Sequence, residues 1–144
     1  MTCPLPTGVH KEDELLYHLH MRDEFLTKAK ENLRAAEVLF EHQLYNAAVN
    51  RAYYAAFHAA IAALADRGIT TGQRGHATIQ ANFATELIQR RKRYPRHFRA
   101  YLMDLQSVRD DADYKVQSVS SRVARRQLTK AKEFVEAIVR ELAP

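Results

Sequence analysis

Cysteine is almost missing from this 144-residue chain, where Cys3 stands alone. One thiol forms neither an internal disulfide nor a cysteine-rich zinc site, and it fits a reducing, cytoplasmic setting. Tryptophan is absent, and glycine and proline number four each. Between Val9 and Ala143 the only proline is Pro95. A chain with so few turn residues is expected to form long helices. Strand patterning is equally scarce, since no alternating β-branched run exceeds a few residues. No window nears the ~18 apolar residues of a membrane span. Residues 1–10 lack a basic start followed by an apolar run, so they read as a loose arm and not a secretory leader.

Familiar catalytic signatures are missing too. The seven histidines are scattered, with no pair at the HxxxH spacing of a helical zinc site. His18 and His20 have no companion carboxylate motif. Gly72 and Gly75 follow no strand, which excludes a dinucleotide or phosphate loop of the usual kind. No Gly-x-Ser-x-Gly elbow occurs. No metal and no cofactor is expected.

What is present is charge, unevenly spread. The net charge is +5, yet residues 1–66 hold six basic and nine acidic side chains. Residues 67–144 hold sixteen basic and eight acidic. Arg90, Arg91, Lys92, Arg93, Arg96 and Arg99 form one block without an acid inside it. Arg122, Arg125, Arg126, Lys130 and Lys132 form a second. Such asymmetry suits a polyanionic partner, and it equally suits a solvated helical surface.

Hydrophobic periodicity divides the chain into five helices of a single domain over 1–144. The first runs from about Lys11 or Met21 to His42, with Leu26, Ala29, Leu33, Ala36 and Leu39 along one stripe. A turn near Gln43–Tyr45 leads to a second helix over about Asn46–Asp66, closed by Gly68. After a loop to Gly75, a third covers about His76–Arg91, with Ile79, Phe83, Leu87 and Ile88 inward. Pro95 suits the first turn of a fourth, which carries Phe98, Leu102, Leu105 and Val108 and ends near Asp113 or Tyr114. Ser118, Ser120 or Ser121 is placed to cap the fifth, whose face is Leu128, Ala131, Val135, Ile138 and Leu142.

Two segments carry candidate chemistry. In Asn50-Arg51-Ala52-Tyr53-Tyr54-Ala55-Ala56-Phe57-His58-Ala59-Ala60, polar groups interrupt an alanine-rich helix. Arg51, Tyr54 and His58 stand three and four apart, so they share a flank beside Tyr54, Phe57, Ile61 and Leu64. They read as an interface cluster or as a binding site. The other segment is Arg109-Asp110-Asp111-Ala112-Asp113-Tyr114. Arg109 and Asp113, four apart, form a structural ion pair on one reading and flank a bound phosphate on the other. Five residues turn an ideal helix by about 140°, so Arg109 and Tyr114 do not stack directly within one chain, and converge only if the helix ends between them or two chains face each other. His76 is placed either to fill its loop or to face the Arg51 cleft.

Together these segments resemble a HEPN domain, the nucleotide-binding domain of higher eukaryotes and prokaryotes, in its small prokaryotic form. The resemblance rests on Arg51-Ala-Tyr-Tyr-Ala-Ala-Phe-His-Ala-Ala, His76 after a glycine loop, and Arg109-x-x-Ala-Asp-Tyr114. It covers about residues 20–142. It implies an antiparallel bundle of four to five helices and a homodimer. It implies the toxin-like half of a toxin–antitoxin pair whose partner is a minimal nucleotidyltransferase. Active members are metal-independent endoribonucleases with an Arg-x4–6-His motif at a shared cleft, and Arg109 matches that arginine. Tyr114 stands where the histidine belongs, and no histidine follows it. The catalytic candidates are thus Arg109 and Tyr114 by their motif positions, and His58, which like His76 supplies the missing base if the fold brings it to Arg109. Arg51, Tyr54, His76, Asp113, Arg90, Arg91 and Arg93 are the candidates for holding RNA or nucleotide. A non-catalytic binding module for a nucleotide or protein is the alternative.

Overall fold

The computed structural model describes residues 11–69 and 75–144. Among the described residues five α-helices follow in order: α1 (Lys11–Glu41), α2 (Tyr45–Asp66), α3 (His76–Asn82), α4 (His97–Tyr114) and α5 (Ser121–Leu142). No strand occurs among the described residues. The expected all-α bundle is observed. The arm at 1–10 and most of the glycine loop, including Gly72, lie outside the described residues.

Alanine shapes the centre. The sequence reading gave α2 one apolar face, but fourteen of its 22 residues are buried. Its alanines leave little side-chain bulk, so α1, α4 and α5 all pack against it. Ala29 and Ala36 of α1 are fully buried, as are Ala52, Ala55, Ala56, Ala59 and Ala60 of α2. Phe83, Phe98 and Phe134 close the other end of the core, with ring centroids 4.8–5.2 Å apart between Phe134 and the other two.

Helix ends follow local chemistry. Gln43 adopts φ 62° in the turn between α1 and α2, and Leu44 N–H reaches back to the Leu39 carbonyl at 2.9 Å. Gly68, at φ 71°, closes α2 as expected, because a left-handed residue there favours glycine. Of the three candidate serines, Ser120 caps α5, its hydroxyl accepting from Val123 N–H at 3.2 Å. α4 begins at His97, two residues beyond Pro95, and ends at Tyr114 as expected.

One departure lies in the third helix. Its second half, Phe83–Arg90, winds as a π-helix. Phe83, Ala84, Leu87 and Ile88 are all buried. These are two pairs spaced by four, and a wider turn draws both pairs toward one side. An apolar period of three to four does not separate this winding from an ordinary α-helix.

The tight α1–α2 seam is open to test. Ala36→Leu should cost about 1–3 kcal/mol by overpacking, read as a lowered midpoint in urea. Ser120→Ala should cost about 1 kcal/mol through loss of the cap. An Ala36→Leu protein as stable as wild type would mean the seam has slack.

Candidate functional site

The polar residues of α2 are answered by residues from three other helices. The Arg109 guanidinium, from α4, reaches the Tyr54 hydroxyl with Nη2 at 3.1 Å. It also lies over the rings of Tyr53 and Tyr54, at 5.7 and 5.3 Å. Nη1 donates to Asp110 at 3.2 Å. Nε lies 3.1 Å from Asp113, but its proton is not aimed at an acceptor, and the atom is buried without a directed hydrogen bond. Burial opposes the charge of Arg109. Tyr54, Asp113 and Asp110 outweigh it and hold the guanidinium above its ordinary value.

Arg51 covers the same tyrosine, 5.0 Å from the ring centroid of Tyr54. Its partners are neutral. Nη1 donates to Asn32 at 3.0 Å, and Nε and Nη2 donate to the Asn50 carbonyl oxygen at 3.1 and 2.6 Å. The Asn50 amide then donates to both carboxylate oxygens of Asp113, at 3.3 and 3.2 Å. The result is a closed circuit: Arg51, Asn50, Asp113, Arg109, Tyr54 and back to Arg51. Two cations share one ring, and a single carboxylate serves both, through an amide on one side.

Both nearby histidines are held in the neutral form. His58 stacks obliquely on Phe25 at 5.5 Å, and its Nδ1 lies 3.1 Å from the Asn32 amide nitrogen. An amide N–H only donates, so Nδ1 accepts and the ring proton sits on Nε2. Burial, then Lys28 and Arg51, lower the imidazole pKa to about 4. His76 opens α3. It stacks on Phe57 at 4.3 Å, and its Nδ1 pairs with the buried Tyr53 hydroxyl. Burial and then Arg109 lower its pKa, while burial raises that of Tyr53. We assign the phenol as the donor of that bond.

The expected site residues therefore separate into groups. Arg51, Tyr54, Arg109 and Asp113 form one connected cluster, and His76 packs on its Tyr53 side. His58 joins through Asn32 and through a tilted ring contact with Tyr54 at 6.0 Å, and no hydrogen bond links it to Arg109. Tyr114 is 79% exposed, so it neither packs beneath the last turn of α4 nor meets Arg109 through a hydrogen bond. Arg90 pairs with Glu86 and Arg93 with Glu141, away from this cluster, while Arg91 is exposed. Asn50 and Asp110 stand inside the two candidate segments without an assigned role, and Asn32 stands outside both. Asn32 left a faint signal, as an amide beside the Ala29, Leu33 and Ala36 stripe.

The depressed pKa of His58 has a thermodynamic consequence. Its folded value of about 4 lies below the ordinary ~6.5 of an unfolded chain. Between these values the unfolded state binds the extra proton. The contribution of the neutral ring is thus complete above about pH 6.5 and is lost as pH falls toward 4. Solvent screening of a half-exposed ring reduces the effect to the order of 1–2 kcal/mol. His58→Gln keeps an acceptor for Asn32 and should flatten this part of the profile. Melting curves of both proteins between pH 7.5 and 5 check this, and parallel profiles would refute it.

Among the described residues no group of histidines, cysteines and carboxylates is placed to hold a metal. None of their helices is long and apolar enough to cross a membrane. Comparison with known proteins gives two findings. A 41-residue stretch is 56% identical to a Methanocaldococcus jannaschii protein named "putative toxin". That match covers 28% of this chain and 31% of the relative, so the chain spans about a third of that protein. The family model for the HEPN domain matches residues 23–142, a span that contains both polar segments and every residue of the circuit. With its helical bundle, its two motif segments and this match, the chain belongs to the HEPN-domain family.

Proposed function

We propose that this chain is a toxin-like HEPN protein that engages RNA through Arg109, as a homodimer, beside a nucleotidyltransferase antitoxin in the cytoplasm. One observation carries the reading. The two segments behind the family resemblance meet where Arg109 donates to the hydroxyl of Tyr54, 55 residues away in the chain. That bond and the two stacked rings fix the guanidinium at the motif position where the family grips phosphate. Its Nε makes no directed hydrogen bond, so a move toward an anion gives up only the ion pair with Asp113 at 3.1 Å there. Arginine keeps its charge and binds phosphate bidentately in any such surrounding. The name of the archaeal relative supports the toxin-like part over the stretch it shares.

Cleavage is the weaker half of the activity. Metal-free RNA hydrolysis requires a base for the 2′-hydroxyl and an acid for the leaving oxygen. Tyr114 puts a phenol where the motif has an imidazole, so it offers a hydroxyl donor and not the base that the 2′-hydroxyl needs. Both nearby histidines are occupied at Nδ1, and neither is bonded to Arg109. This favours a muted nuclease. The same observation supports the second reading, a non-catalytic module that holds RNA or nucleotide at Arg109, Arg51 and Asp113. Tyr114, largely exposed at the end of α4, is open to a second copy of the chain, as a shared cleft requires.

Light scattering, cleavage assays, binding titrations and melting curves decide these points. Light scattering at micromolar concentration should give twice the chain mass, and a strict monomer would remove the shared cleft. RNA incubated with the protein in EDTA should be cut slowly or not at all. Arg109→Ala should weaken RNA binding about 10–100-fold, as for a lost charged hydrogen-bond pair. Tyr114→His should raise cleavage clearly above wild type. Tyr114→Phe should lower affinity or activity without moving the melting temperature. Strong metal-independent cleavage by the wild type would overturn the muted reading. Unchanged binding in Arg109→Ala would overturn the assignment of Arg109.

A further inference from the structure

The basic block from Arg90 to Arg99 holds two kinds of charge. Arg90 and Arg93 are paired with Glu86 and Glu141, at 2.8 and 3.2 Å. Arg91 is exposed and, like Lys92, Arg96 and Arg99, makes no ion pair with a described residue, but only the last three share a groove. These three line one groove of about 770 Å³, together with Ile88, Gln89 and Tyr94. No acidic residue lines it. Three cations over a partly apolar floor repel one another unless an anion lies between them.

The backbone singles out Lys92. Its φ is 51°, the left-handed region that favours glycine. It ends the π-helix in a Schellman-like turn, in which Arg93 N–H donates to the Leu87 carbonyl at 2.8 Å. Glycine suits that position better, yet the chain keeps a lysine there and lines the groove with it. An outlier of this kind points to a use for the side chain. The start of α4 adds to the field. Arg96 is its N-cap, no side chain caps it, and no acid of its own stands in its first turn, where Glu133 of α5 reaches only His97, at 3.4 Å.

The groove also continues. Arg99 lines a second depression of about 420 Å³ with Gln80, Met103, Gln106 and Asp110. Asp110 is the carboxylate paired with Arg109 at 3.2 Å. Arg99 and Arg109 lie on the same helix, so the axial separation is about 15 Å. Between them the Gln80 and Gln106 amides, joined at 2.6 Å, offer donors and acceptors from the two walls of an α3–α4 valley.

We infer that a single RNA strand held at Arg109 runs along this valley and sets further phosphates among Lys92, Arg96 and Arg99. The inference rests on the RNA reading of Arg109. Arg96 and Arg99 grip phosphate oxygens in pairs, Lys92 acts as a point charge, and the glutamines face the intervening bases. Recognition therefore depends on strand length, and Arg90 and Arg93 take no part.

Fluorescence anisotropy with labelled RNAs of about 3 and about 12 nucleotides tests this. Lys92→Gln/Arg96→Gln/Arg99→Gln should bind the long RNA about tenfold or more weakly and the short one like wild type. Its log–log salt slope for the long RNA should be shallower by about 2. Arg90→Gln/Arg93→Gln should leave both RNAs unaffected. Lys92→Gly should weaken the long RNA while keeping or raising the melting temperature, which separates ligand binding from folding. The inference is overturned if the triple variant binds the long RNA like wild type, if it loses both RNAs equally, or if the paired-arginine variant loses as much. Arg109→Ala should weaken both lengths. If it binds both like wild type, the Arg109 reading fails, and a loss confined to the triple variant still upholds the groove as a phosphate site.

Discussion

A helix packed on nearly every side has no free face for polar groups. That constraint on α2 governs the rest of the molecule. Its alanines let neighbours approach, and Arg51, Tyr53, Tyr54 and His58 then sit where water is scarce. An unanswered polar group in such a place costs about 1–3 kcal/mol, and an unpaired charge costs more. Each is therefore met by another helix: Asn32 from α1, His76 from α3, and Arg109 with Asp113 from α4. The cluster binds the bundle together as much as it forms a site. Its members cannot be exchanged singly without leaving a neighbour unsatisfied.

Much of this was legible in the sequence, and the reasons are specific. Spacings of three and four put Arg51, Tyr54 and His58 on one flank, because helix geometry fixes that relation locally. Gly68 and the serine cap announced helix ends for equally local reasons. The family resemblance singled out Arg109 as the motif arginine, while its contact with Tyr54 depends on how α2 and α4 pack. Asn32 and Asn50 were harder, because an amide within a helix carries no signal of what it will meet across a packing interface. The π-winding at Phe83–Arg90 and the left-handed Lys92 were hidden for a similar reason, since tertiary packing overrode local preference at both.

Charge was the least legible property. A run of arginines looks uniform in one dimension. In three dimensions Glu86 and Glu141 answer two of them, whereas Lys92, Arg96 and Arg99 gather in one groove. The partner Glu141 comes from the far end of the chain, so no local rule would have supplied it. Position within a charge block says little about function until the acids brought by other helices are known.

The short His42–Leu44 turn bears on how the bundle assembles. It joins α1 to α2, the two helices that share the most extensive interface in the fold. Closing so short a connection costs little chain entropy, so this helical hairpin is the natural first unit to form. α5 must instead find α2 across more than fifty intervening residues, and its docking is expected to set the pace of folding. The newborn chain would thus hold its alanine seam from the start, while Asn32 and Arg51 meet before Arg109 arrives.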